Sequence, residues 1–150
     1  MDAVTETMTG KQKQAEELVS LTVPSDPKFL YVVRSAMYPV VIGAGFSRKE
    51  ARKIILALDE ACSNIIRHAY EGDPKGTISL AVTVLPGEVR FQLRDRGKKA
   101  DVSLIAPRRL EDIRPGGLGT HFMNTVFDSV QYDTSGPEGT ILTLVKKRAA

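Results

Sequence analysis

Between Ala51 and Ala69 the residues Ala51, Ile54, Ile55, Leu58, Cys62, Ile65, Ile66 and Ala69 recur at spacings of three and four. That period lays a single apolar stripe along a helix of about five turns. Ser47, three residues before Glu50, supplies a capping box at its start. A helix with one apolar stripe is stable only when a second layer covers it. The sequence provides that layer at once. EGDPKG breaks the helix, and in TISLAVTVL the residues Ile78, Leu80, Val82 and Val84 alternate onto one face. Pro86-Gly87 turns the chain, and EVRFQLRD returns with Val89, Phe91 and Leu93 inward and Asp95 in the same register.

The flanking segments complete the pattern. A first strand is expected around Leu18 to Val23. Ser25 as a cap, or Asp26-Pro27, then opens a helix carrying Phe29, Leu30, Val33, Ala36 and Met37 on one side. Pro39 inside that helix is expected to kink or split it. Residues 98–116 read as a long loop with basic residues. A helix from about Leu118 to Asp128 follows, then a hairpin of VQYD and TILTLVKK joined by TSGPEG. The order β, α, α, β, β, α, β, β describes an α+β fold of two layers, a mixed or antiparallel sheet with helices on one face. Residues 1–17 are expected to form a flexible arm, and 18–150 a single domain.

Composition narrows the function. At 42% apolar and 26% charged residues the 150-residue chain is an ordinary globular one. No apolar run approaches the roughly 20 residues that cross a bilayer, and the polar start has no signal-peptide core, so a cytoplasmic protein without membrane contact is expected. One cysteine and two histidines leave neither a disulfide nor a zinc-ligand cluster. The net charge of +3 comes from scattered Lys and Arg interleaved with acids, which argues against nucleic acid as a partner.

Three short elements carry chemistry. Asp95 brings a carboxylate to the end of a strand on the core face, where it needs a partner, and Asp95-Arg96-Gly97 lets a flat ligand approach the backbone. The amine of a nucleobase would satisfy it. In RPGGLGTHFM, Gly116, Gly117 and Gly119 precede or open a helix whose free N–H groups suit phosphate, although neither a P-loop nor a dinucleotide fingerprint is present. Glu60 and Asn64 lie one helical turn apart, away from the apolar stripe, an acid and an amide oxygen able to activate a hydroxyl and hold Mg²⁺. Each element alone is commonplace: a strand-end Asp starts turns, glycines open helices, and polar residues opposite a stripe are solvated. Asp59 and His68 read as structural, His121 is ambiguous, and Arg108, Arg109 and Arg114 are loop cations able to close over a triphosphate.

In this order, E-x-x-x-N on a helix, D-x-G after two strands and G-x-G at a helix start, the chain resembles the N, G1 and G2 boxes of the GHKL ATPases. That superfamily includes gyrase B subunits, histidine kinases and anti-sigma-factor kinases. ALDEACSNIIRHAY, GGLGTHFMNTVFDSV and the ending GTILTLVKK are most similar to the anti-sigma-factor serine/threonine kinases, over Leu21 to Arg148. The resemblance implies a Bergerat ATP-binding fold with ATP and Mg²⁺ as ligands. By the same resemblance Asn64 coordinates the metal, Glu60 is the general base, Asp95 reads adenine and Gly97 is its turn glycine. Gly117, Leu118, Gly119 and Thr120 match the phosphate-wrapping segment, and Thr140 resembles the threonine near the base. Arg114 is similar in place to a γ-phosphate-sensing arginine of the sporulation member, at a spacing to Gly117 that differs by one residue. Lys98-Lys99 stand where many relatives have Gly or Pro, which implies a stiffer or more charged start to the lid.

A chain of this length has no room for the transducing domains of gyrase relatives or the dimerisation helices of a two-component kinase. The resemblance therefore implies a lone ATP module that phosphorylates a small STAS-domain anti-sigma-factor antagonist, with a sigma factor as a second partner and a homodimer as the assembly. The alternative is a nucleotide-gated binding module of the same fold without phosphotransfer.

Overall fold

The computed structural model describes residues 19–102 and 117–149, with the backbone alone described for 117–120. The expected arm (1–17), Arg108, Arg109 and Arg114 lie outside the described residues. Strand β1 (Val19–Pro24) is followed by a single 3₁₀ turn (Pro27–Phe29), α1 (Leu30–Gly43) and α2 (Arg48–Asn64). A π-helical turn (Ile65–Ala69) extends α2 before β2 (Thr77–Leu85) and β3 (Glu88–Asp95). Helix α3 (Gly117–Val126), β4 (Ser129–Asp133) and β5 (Ile141–Lys147) complete the chain.

Among the described residues five strands pair antiparallel, in the order β1-β2-β3-β5-β4. Alternation decides which face is covered. Ile78, Leu80 and Val82 on β2, Val89, Phe91 and Leu93 on β3, and Leu142 and Leu144 on β5 are buried beneath the helices. The intervening Arg90, Gln92 and Arg94 are exposed on the other face. Helix α2 packs against both α1 and α3 and presents its stripe to the sheet. The buried band is wider than the stripe read from the sequence, because Ala57 and Ala61 are also buried where neighbouring helices meet α2. Phe91 and Phe127 meet edge to face, with ring centroids 6.1 Å apart.

Local chemistry explains the element ends. Pro86 and Gly87, the latter at φ +77°, form the two-residue turn between β2 and β3. Ser47 accepts the Glu50 N–H at 3.1 Å, and its hydroxyl donates to the Glu50 carboxylate at 3.2 Å. Of the two openings expected for the first helix, the structure has Asp26-Pro27. Ser25 is not a cap: it is fully buried, its hydroxyl donates to the Asp73 carbonyl at 2.6 Å and its N–H to the Gly76 carbonyl at 2.9 Å. Asp26 caps the 3₁₀ turn that leads into α1, accepting the Lys28 N–H at 3.1 Å, and Phe29 precedes α1 without a side-chain cap bond. Nor does Pro39 split its helix. Pro39 and Ser35 are both exposed, so the Ser35 carbonyl that loses its helical donor has water beside it.

The capping box has a measurable consequence. Ser47→Ala is expected to cost about 1 kcal/mol, a fall in melting temperature of about 2–4 °C for a chain of this size. Circular dichroism melting checks it, and an unchanged midpoint would show that α2 does not depend on this cap.

Candidate functional site

The inward face of β3 runs out at Asp95, and three neighbouring segments converge there. The Asp95 N–H donates to the Thr140 carbonyl at 3.1 Å, joining the end of β3 to the residue before β5. Gly139, at φ +65°, lies flat against this contact, and a Cβ there would stand 2.0 Å from the Asp95 carbonyl oxygen. Gly97 is equally confined, since its Cβ would lie 2.3 Å from the carbonyl oxygen of Ala69 in the π turn. That same carbonyl accepts the Lys98 N–H at 2.8 Å. The Thr140 hydroxyl accepts the Ala100 N–H at 2.9 Å, and Lys99 donates to the Gly136 carbonyl at 2.6 Å. The Lys98-Lys99 pair is thus tied down at both residues.

Asp95 is 4% exposed and Thr140 6%. Burial pushes the Asp95 carboxyl above the usual carboxylate range, and the backbone N–H groups of Gly97 and Thr140 pull it partly back. The Gly97 N–H reaches Oδ1 at 3.0 Å. Among the described residues none of the ion pairs includes Asp95. A buried carboxylate held only by backbone donors has acceptor capacity for a neutral N–H donor from outside, and the exocyclic amine of a nucleobase is such a group.

Glu60 and Asn64 lie on α2, half-exposed. A single guanidinium group, that of Arg67, joins them: it pairs with the Glu60 carboxylate at 3.2 Å and donates to the Asn64 side-chain oxygen. The two oxygens therefore converge on one cation. Carboxylate and amide oxygens are also the hard donors that a divalent cation such as Mg²⁺ accepts. Asp59, one residue back, pairs with Arg34 of α1 and holds the two helices together. His68 and His121 are exposed, and the His121 carbonyl accepts the Thr125 hydroxyl at 3.0 Å.

The π turn separates the acid–amide pair from the carboxylate. Its defining bond runs from the Tyr70 N–H to the Ile65 carbonyl at 3.2 Å, and Gly72, at φ +84°, closes the end by donating to the Ile66 carbonyl at 2.9 Å. Gly117, Leu118, Gly119 and Thr120 lie in the helical backbone of α3. Asp95, Gly97 and Thr140 are thus brought together, and Glu60 and Asn64 are joined through Arg67. Sequence reading missed Arg67, Tyr70 and Gly139. Of these only Gly139, beside Thr140 in GPEGT, left a signal.

Comparison with known proteins bears on the family and the fold. Residues 23–146 match the model of the histidine kinase-like ATPase domain. The serine-protein kinase RsbW of Bacillus subtilis is 27% identical over 127 residues, 79% of each chain. The RsbW of Halalkalibacterium halodurans is 27% identical over 138 residues, 87% of this chain and 83% of that one. Among solved structures, the SiaB-SiaC complex from Pseudomonas aeruginosa superposes with a TM-score of 0.61 at 13% identity, over 93% of this chain and 95% of that chain. The RsbU and RsbW domains of Rv1364c from Mycobacterium tuberculosis superpose with a TM-score of 0.59 at 19% identity, over 86% of this chain and 31% of that one. Both structural likenesses concern the fold. With the match covering nearly all of both layers and every described part of the site, the chain belongs to the histidine kinase-like ATPase domain family.

Proposed function

We propose that this chain is a serine/threonine protein kinase that transfers the γ-phosphate of ATP to a small STAS-domain anti-sigma-factor antagonist. The observation that carries the reading is Asp95, a buried carboxylate with backbone donors and no cation among the described residues, at the open end of an ATPase-family sheet. The relatives named serine-protein kinases support the choice of acceptor.

In this reading Asp95 accepts the adenine amine, Gly97 gives the base room and Thr140 lines the same pocket. The N–H groups of Gly117, Leu118, Gly119 and Thr120 hold the phosphates, and the resemblance alone assigns Arg114 to the γ-phosphate. Asn64 is the ligand for Mg²⁺, which when bound offsets the charge that builds on the phosphates. Arg67 must first leave Asn64 and Glu60. Glu60 then takes the proton of the incoming hydroxyl as its oxygen bonds to the γ-phosphorus and the bond to the β-phosphate oxygen breaks. The rest of the reading is a cytoplasmic homodimer that exchanges antagonist for a sigma factor as its nucleotide changes. The grip of Arg67 on Glu60 also favours a second reading, a nucleotide-gated binding module in which Glu60 never acts as a base.

Glu60→Ala separates the two. With γ-labelled ATP and an extract of the source cell, wild type is expected to label one small protein on serine or threonine. Glu60→Ala is expected to bind ATP equally and transfer about 10²–10⁴-fold more slowly. Equal labelling by both proteins would remove Glu60 from the chemistry. No labelling by wild type that binds ATP would establish the gated module.

Asp95→Asn tests the base contact through stability as well as binding. Because the folded protein raises the Asp95 pKa, the stability linked to its protonation is present at low pH and lost as pH rises through the folded value. Unliganded Asp95→Asn is therefore expected to melt at or above wild type at neutral pH, with the difference shrinking as pH is lowered. Its ATP affinity is expected to fall about 10–100-fold, the loss of one hydrogen bond to a charged group. Thermal shift at two pH values and calorimetric titration read both; undiminished affinity would show that Asp95 does not contact the base.

A further inference from the structure

Strands β2 and β3 are in register up to the pair Ile78–Asp95, so the next pair in line is Thr77 with Arg96. The expected ladder bond between them is replaced. The Arg96 N–H donates to the Tyr70 hydroxyl at 2.8 Å, and that hydroxyl donates to the Thr77 carbonyl at 2.6 Å. One phenolic oxygen stands in series between a strand donor and a strand acceptor, separating them by up to roughly twice the length of a direct bond. Both backbone groups stay satisfied while the strands are held apart at the residue that follows Asp95.

The ring is placed as closely as its hydroxyl. Gly76 leaves the space it occupies, since a Cβ there would lie 2.3 Å from a Tyr70 ring carbon. The π turn sets the direction, because without its extra residue Tyr70 would point about 100° further round the helix. The preceding residue acts on the same turn, the Ala69 carbonyl accepting the Lys98 N–H and facing Gly97. Two consecutive residues at the end of one helix thus hold the Asp95-Arg96-Gly97 turn from one side, while Thr140 holds it from the other.

We infer that the Tyr70 hydroxyl is a positioning group for nucleotide binding: by wedging Thr77 from Arg96 it keeps the Asp95 turn open to a base. This rests on the assignment of Asp95 as the base-reading acid. In Tyr70→Phe the ring still fills its place, but Arg96 N–H and Thr77 carbonyl lose the bridging oxygen and can close on each other, drawing the turn toward β2.

The test measures ATP affinity, the KM for ATP and kcat for wild type, Tyr70→Phe and Asp95→Asn, with melting temperatures alongside. Tyr70→Phe is expected to weaken ATP binding and raise KM about 5–20-fold, the order of one or two lost neutral hydrogen bonds, with kcat held within twofold. A merely structural role would lower the active fraction, and with it kcat, without moving KM. ATP affinity of Tyr70→Phe within twofold of wild type, with Asp95→Asn weakened, overturns the inference and leaves the Asp95 assignment standing. Undiminished binding by Asp95→Asn overturns that assignment itself. Should Tyr70→Phe fail to fold, hydrogen exchange in unliganded wild type decides: an Arg96 amide slowed at least tenfold relative to an open loop supports the bridge, and exchange at the open-loop rate removes it.

Discussion

A carboxylate buried at a strand end must be compensated by its surroundings, and around Asp95 that compensation comes from the backbone. The Gly97 N–H supplies one donor, which requires the chain to double back within two residues. Doubling back presses Gly97 onto the Ala69 carbonyl, leaving no room for a Cβ. On the other side the Thr140 carbonyl takes the Asp95 N–H, and Gly139 must be flat and at positive φ to let it approach. The Gly97 contacts thus follow from the buried acid, while the Thr140 and Gly139 contacts close the same turn through its main chain. Replacing the arrangement with a lysine or arginine partner would neutralise the acid internally and leave nothing for a ligand to complete.

The electrostatics at Glu60 and Asn64 are organised differently. There the oxygens lie half-exposed on a helix side and share the exposed side chain of Arg67, an ion pair in contact with solvent that contributes little to stability. One end of the site is thus rigid and backbone-built, the other built of side chains and exchangeable.

Much of this was legible in the sequence because it follows from period. Alternation placed Asp95 in line with Val89, Phe91 and Leu93, and the structure has it buried with them. The capping box at Ser47 and the Pro-Gly turn at 86–87 are local chemistry, read from neighbouring residues alone. What could not be read depends on distant segments. Ser25 looks like a cap until Asp73 and Gly76 are brought beside it. The π turn has the same apolar spacing as the α-helix it extends, so Ile65, Ile66 and Ala69 continue the stripe without betraying the change of winding. Tyr70 gave no signal because its hydroxyl works between strands that begin 7 and end 25 residues later.

Cys62 lies between Glu60 and Asn64 on the opposite side of α2, fully buried, and burial pushes its thiol up to about 12. A thiol so placed is almost wholly protonated in the folded protein and closed to alkylating reagents. It becomes reactive only when α2 lifts from the sheet. As the chain's single cysteine, it is a native clock for that opening: its rate of modification reports how often the helix carrying Glu60 and Asn64 leaves its seat, and how far a bound ligand slows the departure.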